Sequence, residues 1–200
     1  MPENYKDEFE YLTLVLSRIE RRRTELLKLL VSNENRIFEQ RRYMWQNMPT
    51  LAVSWEALSD LASTSSELLV SENRYLAKDR ELAMLDRMIK SPYFERVDFK
   101  EDGTDLIESF YIGLNTLMDD SGSKMYVCDW RAPAASLFYE HGKGRAGYDA
   151  PEGRVYGEVT LVRQYRIENG EMKMLIDADI KIDDSILQEV LNSPSSEHMK

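Results

Sequence analysis

Glycine is missing from the first half of this sequence. All nine glycines of the 200-residue chain lie at Gly103 or later, and residues 1–102 hold only three prolines, Pro2, Pro49 and Pro92. Glycine and proline are the strongest local breakers, so their spacing outlines two long uninterrupted segments. Cysteine occurs once, at Cys128, which excludes an intrachain disulfide and a cysteine-based zinc site. Histidine occurs only at His141 and His198, both in polar surroundings. Apolar runs such as Leu29-Leu30-Val31 fall far short of the roughly 20 residues that span a bilayer. The start, Met1-Pro2-Glu3-Asn4-Tyr5-Lys6-Asp7-Glu8, is polar and acidic, unlike a secretory signal. A cytoplasmic location without a membrane is the expectation. Net basicity is lacking too: the formal charge of −10 argues against direct nucleic-acid binding, which draws on counterion release by a positive surface.

What the chain does have is enough apolar material for a core, 42% hydrophobic and 10% aromatic, in two halves of different character. Residues 1–90 hold 15 acids and 14 bases, whereas residues 91–200 hold 21 acids and 12 bases. The first half is charge-rich but balanced, as solvated helices are. Within residues 3–47, Tyr5, Phe9, Leu12, Leu16, Ile19, Arg23, Leu26, Leu30, Asn33, Ile37, Gln40 and Met44 follow alternating steps of four and three. This is a heptad seam with three polar interruptions. Within residues 52–90, Leu61, Leu68, Tyr75, Leu82 and Ile89 recur every seven residues. Ala62, Leu69, Leu76 and Ala83 shadow them one position on, and Leu58 and Leu85 extend the stripe. Two such helices joined near Pro49 should pack antiparallel. At roughly 1.5 Å per residue the hairpin would be about 55–65 Å long, an arm too long to lie on one small domain.

Past residue 90 the period changes. Phe94, Val97 and Phe99, then Phe110-Tyr111-Ile112-Gly113, then Met125-Tyr126-Val127-Cys128-Asp129-Trp130 read as β-like runs. Alternation over Val155–Val162 reads as a further strand. Asn169-Gly170 is a two-residue hairpin signal between Arg163–Ile167 and Met172–Ile176. Asp183-Asp184-Ser185 is suited to cap a short helix through Leu187, Val190 and Leu191. The fold class expected is therefore α+β: a long antiparallel helical hairpin over 1–90, a small, mixed, mainly antiparallel β-rich base over 91–191, and a linker over 192–200.

The catalytic inventory is thin. There is no G-x-x-x-x-G-K-[ST] phosphate loop, and Gly142-Lys143-Gly144-Arg145 has the wrong spacing and reads as a turn. Cys128 reads as a buried strand thiol. Asp119-Asp120 and Asp183-Asp184 read as a turn and a helix cap rather than metal ligands. Arg21-Arg22-Arg23 reads as a solvated helix face, offset by Glu20 and Glu25. No catalytic, cofactor or metal residue is assigned. The most distinctive run is Asp129-Trp130-Arg131-Ala132-Pro133. An acid and a base flanking a tryptophan at a strand end can brace a turn or meet a partner.

Ser91-Pro92-Tyr93-Phe94, Tyr111-Ile112-Gly113, Asp129-Trp130-Arg131-Ala132-Pro133, Leu137-Phe138-Tyr139-Glu140, Pro151-Glu152-Gly153, Gly157-Glu158, Arg163-Gln164-Tyr165 and Leu187-Gln188 occur in this order. Together they resemble the N-terminal region of HelD proteins, bacterial RNA-polymerase-associated ATPases related to superfamily-1 helicases of the UvrD/Rep type. The resemblance is specific over 91–190 and architectural over 1–90. It implies that ATPase domains would follow this region and would carry the ATP and magnesium sites. It also implies that the hairpin enters the secondary channel of core RNA polymerase and that the base anchors it to the ATPase domains. The motor would then help release and recycle the polymerase.

On that resemblance the partner-binding tip is Trp45, Gln46, Asn47, Met48, Pro49 and Thr50, with Glu56 and Asp60 as the nearest carboxylates. Gln46 and Asn47 stand where some family members carry acids near the polymerase's catalytic magnesium. That difference argues against direct metal coordination by this tip and leaves steric occupation of the channel. The base motif is Asp129, Trp130, Arg131 and Pro133. Trp45 has two readings at this point, an anchor for a partner or an internal cap on the seam. The alternative class is a coiled-coil adaptor or dimerisation module unrelated to polymerase.

Overall fold

A computed structural model describes residues 5–48, 54–139 and 143–177. Pro49, Thr50, His141, His198 and the expected cap and helix over 183–191 lie outside the described residues. Helix α1 runs Lys6–Asn47 and α2 runs Trp55–Lys90. Seven strands follow: β1 Glu95–Glu101, β2 Ile107–Gly113, β3 Leu117–Met118, β4 Met125–Asp129, β5 Gly144–Ala150, β6 Gly153–Glu168 and β7 Glu171–Asp177. A 3-10 turn at Pro133–Ala135 and the short helix α3, Ser136–Tyr139, stand between β4 and β5. The chain forms two compact units, residues 1–18 with 87–200, and residues 19–86.

The second unit holds the α1–α2 hairpin from Ile19 to Asp86. Cross-helix ion pairs set its antiparallel register: Arg22 Nε to Glu81 at 2.8 Å, Arg23 Nε to Asp86 at 2.6 Å and Arg41 Nη2 to Glu72 at 2.6 Å. The α1 seam is as expected. Ile19, Leu26 and Leu30 are buried, and Arg23, Asn33, Ile37, Gln40 and Met44 are half-covered. The α2 seam differs in part. Leu61, Leu68, Tyr75 and Leu82 are half-covered as expected, and Leu85 is buried. Ala62, Leu69, Leu76, Ala83 and Leu58 are exposed. The second line of that seam runs instead through Thr64, Ser71, Lys78 and Leu85. Small or snorkelling polar side chains fill three of those positions, and Ser71 is buried because its hydroxyl donates to the Glu67 carbonyl at 2.8 Å. The basic triplet also departs from a purely solvated face, since Arg22 and Arg23 reach across to α2.

In the first unit the sheet order is β3-β4-β2-β1-β6-β5, with β7 also paired to β6. All pairings are antiparallel except β2 with β4. The two runs read separately over Val155–Val162 and Arg163–Ile167 are one 16-residue strand, β6. The Asn169-Gly170 turn has φ of 52° and 76°, the left-handed pair that a two-residue hairpin of this hand requires. Strand β5 was not legible: Gly144-Arg145 opens a strand rather than closing a turn. Its Gly147 lies where a Cβ would meet the Val155 carbonyl at 2.7 Å, so the residue type that hides the strand is what lets it pair.

Alternation along β1 separates two faces. Val97 and Phe99, with Phe110, Ile112, Val159 and Val162, pack on Ala134, Ala135, Leu137 and Phe138 to form the apolar core. Arg96 and Asp98 point the other way, onto the first turns of α1.

Candidate partner-binding site

At the hairpin end, α1 finishes with Asn47, whose Nδ2 donates to the Tyr43 carbonyl at 2.9 Å, while Met48 N donates to the Met44 carbonyl at 3.0 Å. Met44 occupies the seam here, and Trp45, one position on, is 80% exposed. The internal-cap reading of Trp45 is therefore excluded by its position on the helix. Met48 is exposed, as are Gln46, Glu56 and Asp60. Glu56 lies in the first turn of α2, where a carboxylate complements the helix dipole. Among the described residues no group of three His, Cys, Asp or Glu side chains is placed to hold a metal ion.

The Asp129–Pro133 run builds its own turn. One carboxylate oxygen of Asp129 accepts from Arg131 N at 2.8 Å and Arg131 Nε at 2.9 Å, and the other accepts from Arg131 Nη2 at 2.7 Å. The Arg131 fork holds the Asp129 carboxyl below the usual carboxylate range. Trp130 N donates to the Gly113 carbonyl, Ala132 N closes the turn on the Asp129 carbonyl, and the Trp130 ring packs against the core. Pro133 opens the 3-10 turn, where its missing N–H costs nothing. The motif thus steers the chain from β4 into α3, and it leaves Arg131 exposed. Cys128 beside it is buried, and burial pushes its thiol up to about 11. That is a structural thiol rather than a nucleophile. Asp119 works as a local brace: it accepts from the Ser121 hydroxyl and the Lys124 and Ser123 N–H groups, which hold its carboxyl down at about 2.

One constellation has no counterpart in the sequence reading. Glu8, in the first turn of α1, is 1% exposed. Its Oε1 accepts from Arg96 Nη1 at 2.5 Å and Arg163 Nη1 at 2.6 Å. Its Oε2 accepts from the hydroxyls of Tyr165 at 2.7 Å and Tyr111 at 3.1 Å. Asp98 takes Arg96 in a fork, and Asp177 takes Arg163. Tyr11, one turn along, stacks on Tyr111 at 3.7 Å between centroids and donates to the Tyr126 carbonyl at 2.7 Å. Every oxygen of the buried carboxylate is satisfied, as a buried charge requires. The cluster fastens the first turns of α1 to β1, β2, β4, β6 and β7. Glu8 and Tyr165 are 157 residues apart, so no local motif announces the cluster. The available signal was polar alternation in strands: Arg96 and Asp98 flanking Val97 on β1, and Arg163 with Tyr165 on β6.

Residues 5–190 match the family model described as the N-terminal domain of the DNA helicase IV HelD. The chain belongs to the HelD N-terminal domain family. The match takes in both helices and the whole described sheet, so hairpin and base together are the family's unit. A HelD N-terminal domain is the N-terminus of a helicase-type parent. No individual curated protein matches the chain. Among the described residues no helix is long and apolar enough to cross a membrane.

Proposed function

We infer that this HelD N-terminal domain is an RNA-polymerase-binding module of a cytoplasmic, ATP-dependent motor. In this reading the α1–α2 hairpin enters the polymerase secondary channel and helps release and recycle the enzyme. ATP and magnesium act in the parent's ATPase domains, and the sheet unit, with its Asp129–Pro133 turn, anchors the hairpin to them. The observation that supports this best is the end of the hairpin: Trp45 and Met48 stand free of the seam and largely exposed. Large side chains of this kind anchor interfaces. The tip's lack of acids at Gln46 and Asn47 makes occupation of space, not metal coordination, its mode of action.

The hairpin half of the chain is nearly neutral, with 15 acids against 14 bases, so long-range steering from it is weak. Contact must depend on reach and on the tip. The test is to remove one matched heptad from each helix, residues 31–37 and 71–77, and separately to make Trp45→Ala. Affinity for core RNA polymerase should fall for both, with far-ultraviolet circular dichroism still helical. A shortened hairpin that binds as tightly as the full one would show that the sheet unit carries the contact.

A further inference from the structure

Strand β2 is paired along its length on one side only. β1 matches it from Ile107 to Ile112, while β4 meets its other side only at Ile112 and Gly113. The Gly113 carbonyl accepts from Trp130 N on that second side. Main-chain groups alternate in direction along a strand, and the β1–β2 register runs without a shift. Ile107 and Ser109 therefore present N–H and C=O to the same side as Gly113, and no strand among the described residues takes them. Both residues are exposed, as is Glu108 between them. Native sheet edges are commonly guarded by lysine, proline or a bulge. The run Leu106-Ile107-Glu108-Ser109 has none of these.

A groove of about 350 Å³ lies against this edge, lined by Phe99, Leu106, Ile107 and Tyr148 together with Glu101 and Glu108. Tyr148 reaches it from β5, its ring edge-on to Phe99 and Phe110 at 5.7 and 6.1 Å between centroids. Leu106 is 80% exposed and Ile107 56%, so the apolar lining is open to solvent. The surround is acidic. Asp102 and Asp105 are held by Arg145 and Lys100, but Glu101 and Glu108 have no ion pair among the described residues.

We propose that the free edge of β2 takes an added strand, an extended segment of a partner protein that carries a basic and an apolar side chain two positions apart. The partner's main chain bonds Ile107 and Ser109. Its basic side chain stands opposite Glu108, the distance at which cross-strand pairs interact. Glu108 is the cross-strand partner of Phe99, so the residue two positions from the basic one lies on the groove side of the sheet. An apolar side chain there enters beside Phe99 and Tyr148. A second copy of this chain is a poor occupant, because pairing the same edge with itself sets Glu108 against Glu108. The 23 residues after Asp177 hold five acids against two bases, so they match the acidic surround no better. The site lies within the sheet unit and uses no residue of the hairpin end.

The probe is a fluorescein-labelled peptide, Thr-Val-Thr-Lys-Thr-Val-Thr, read by fluorescence anisotropy with the full chain. Valine on both sides of the lysine lets it dock in either direction. Saturable binding is expected. N-methylation of the two threonines beside the lysine removes the N–H groups that face β2 and should weaken binding by at least about tenfold, whereas N-methylation of the lysine, whose N–H points away, should not. Ile107→Pro removes an edge N–H at the first position of the strand, where proline is tolerated. It should weaken binding to the same degree with the thermal melt unchanged, and the N-methylated pair gives the same reading with no change to the chain. Glu108→Lys should reverse the preference toward the peptide with glutamate at its centre. No saturable binding at millimolar peptide, binding indifferent to threonine N-methylation, or a Glu108→Lys chain that keeps the lysine preference would each overturn the proposal.

Discussion

At the scale of single residues, the organising choice is a carboxylate placed where water cannot reach. Glu8 is tolerated because two guanidinium groups and two phenols converge on it, and because it sits at the positive end of a helix. Removing one partner of such a set typically costs about 3–5 kcal/mol, since the remaining charge is left buried and unpaired. The same site governs the response to alkali. Burial raises Tyr11, Tyr93, Tyr111 and Tyr165 well above the ordinary phenol value, and the Glu8 carboxylate adds to the rise. A phenol raised in the folded state costs nothing below its unfolded value near 10, and favours unfolding above it, because only the unfolded chain then releases the proton. Stability should therefore hold flat up to about pH 10 and fall beyond it. Absorbance at 295 nm should show these four of the 11 tyrosines ionising only as the fold is lost. Simple titration of all tyrosines near pH 10, with circular dichroism unchanged, would count against the buried cluster.

At the scale of elements, the hairpin is held by a seam whose two lines are unequal in kind. On α1 the line is mainly apolar, interrupted by Arg23, Asn33 and Gln40, with Leu26 1% exposed. Leu26→Ala should destabilise the chain by about 2–4 kcal/mol through lost transfer energy and the cavity left behind. Leu69→Ala, on the exposed face, should change it by no more than about 0.5 kcal/mol. Urea melts of the two variants check this, and comparable losses would place Leu69 in the seam. The contrast marks the limit of what the sequence could tell. The Leu61–Ile89 spacing located one line of α2 correctly. The other was assigned to Leu69 and Leu76 because they are apolar, yet Ser71 and Lys78 occupy it, and only cross-helix pairs such as Arg41–Glu72 fix that rotation. Asn169-Gly170 was legible because one local conformation specifies the turn. Strand β5 was hidden by Gly144 and Gly147, and the Glu8 site by sequence distance. At the tip, Trp45's identity was plain while its exposure depended on which helical line the seam took.

At the scale of the whole molecule, the function proposed above places recognition in this domain and chemistry in the parent's motor. The sequence holds no G-x-x-x-x-G-K-[ST] phosphate loop. In the basic, glycine-bearing run, Gly144 and Arg145 open strand β5 rather than a helix, so no helix N-terminus with free N–H groups stands there to receive a phosphate. Its arginine is engaged as well, because Arg145 makes a two-point ion pair with Asp102 at 2.5 and 2.7 Å. The second half of the chain carries 21 acids against 12 bases, and that field disfavours nucleotides and nucleic acid alike. The chain by itself should accordingly show no ATP hydrolysis above buffer background and no heat of ATP binding in calorimetry with magnesium present. The control is a preparation carried through the same purification without the chain, since trace ATPases are the common source of false activity. Turnover that co-purifies with the chain and scales with its concentration would mean that a phosphate site exists outside the described residues, and the division of labour drawn here, recognition in this domain and chemistry in the parent's motor, would fail.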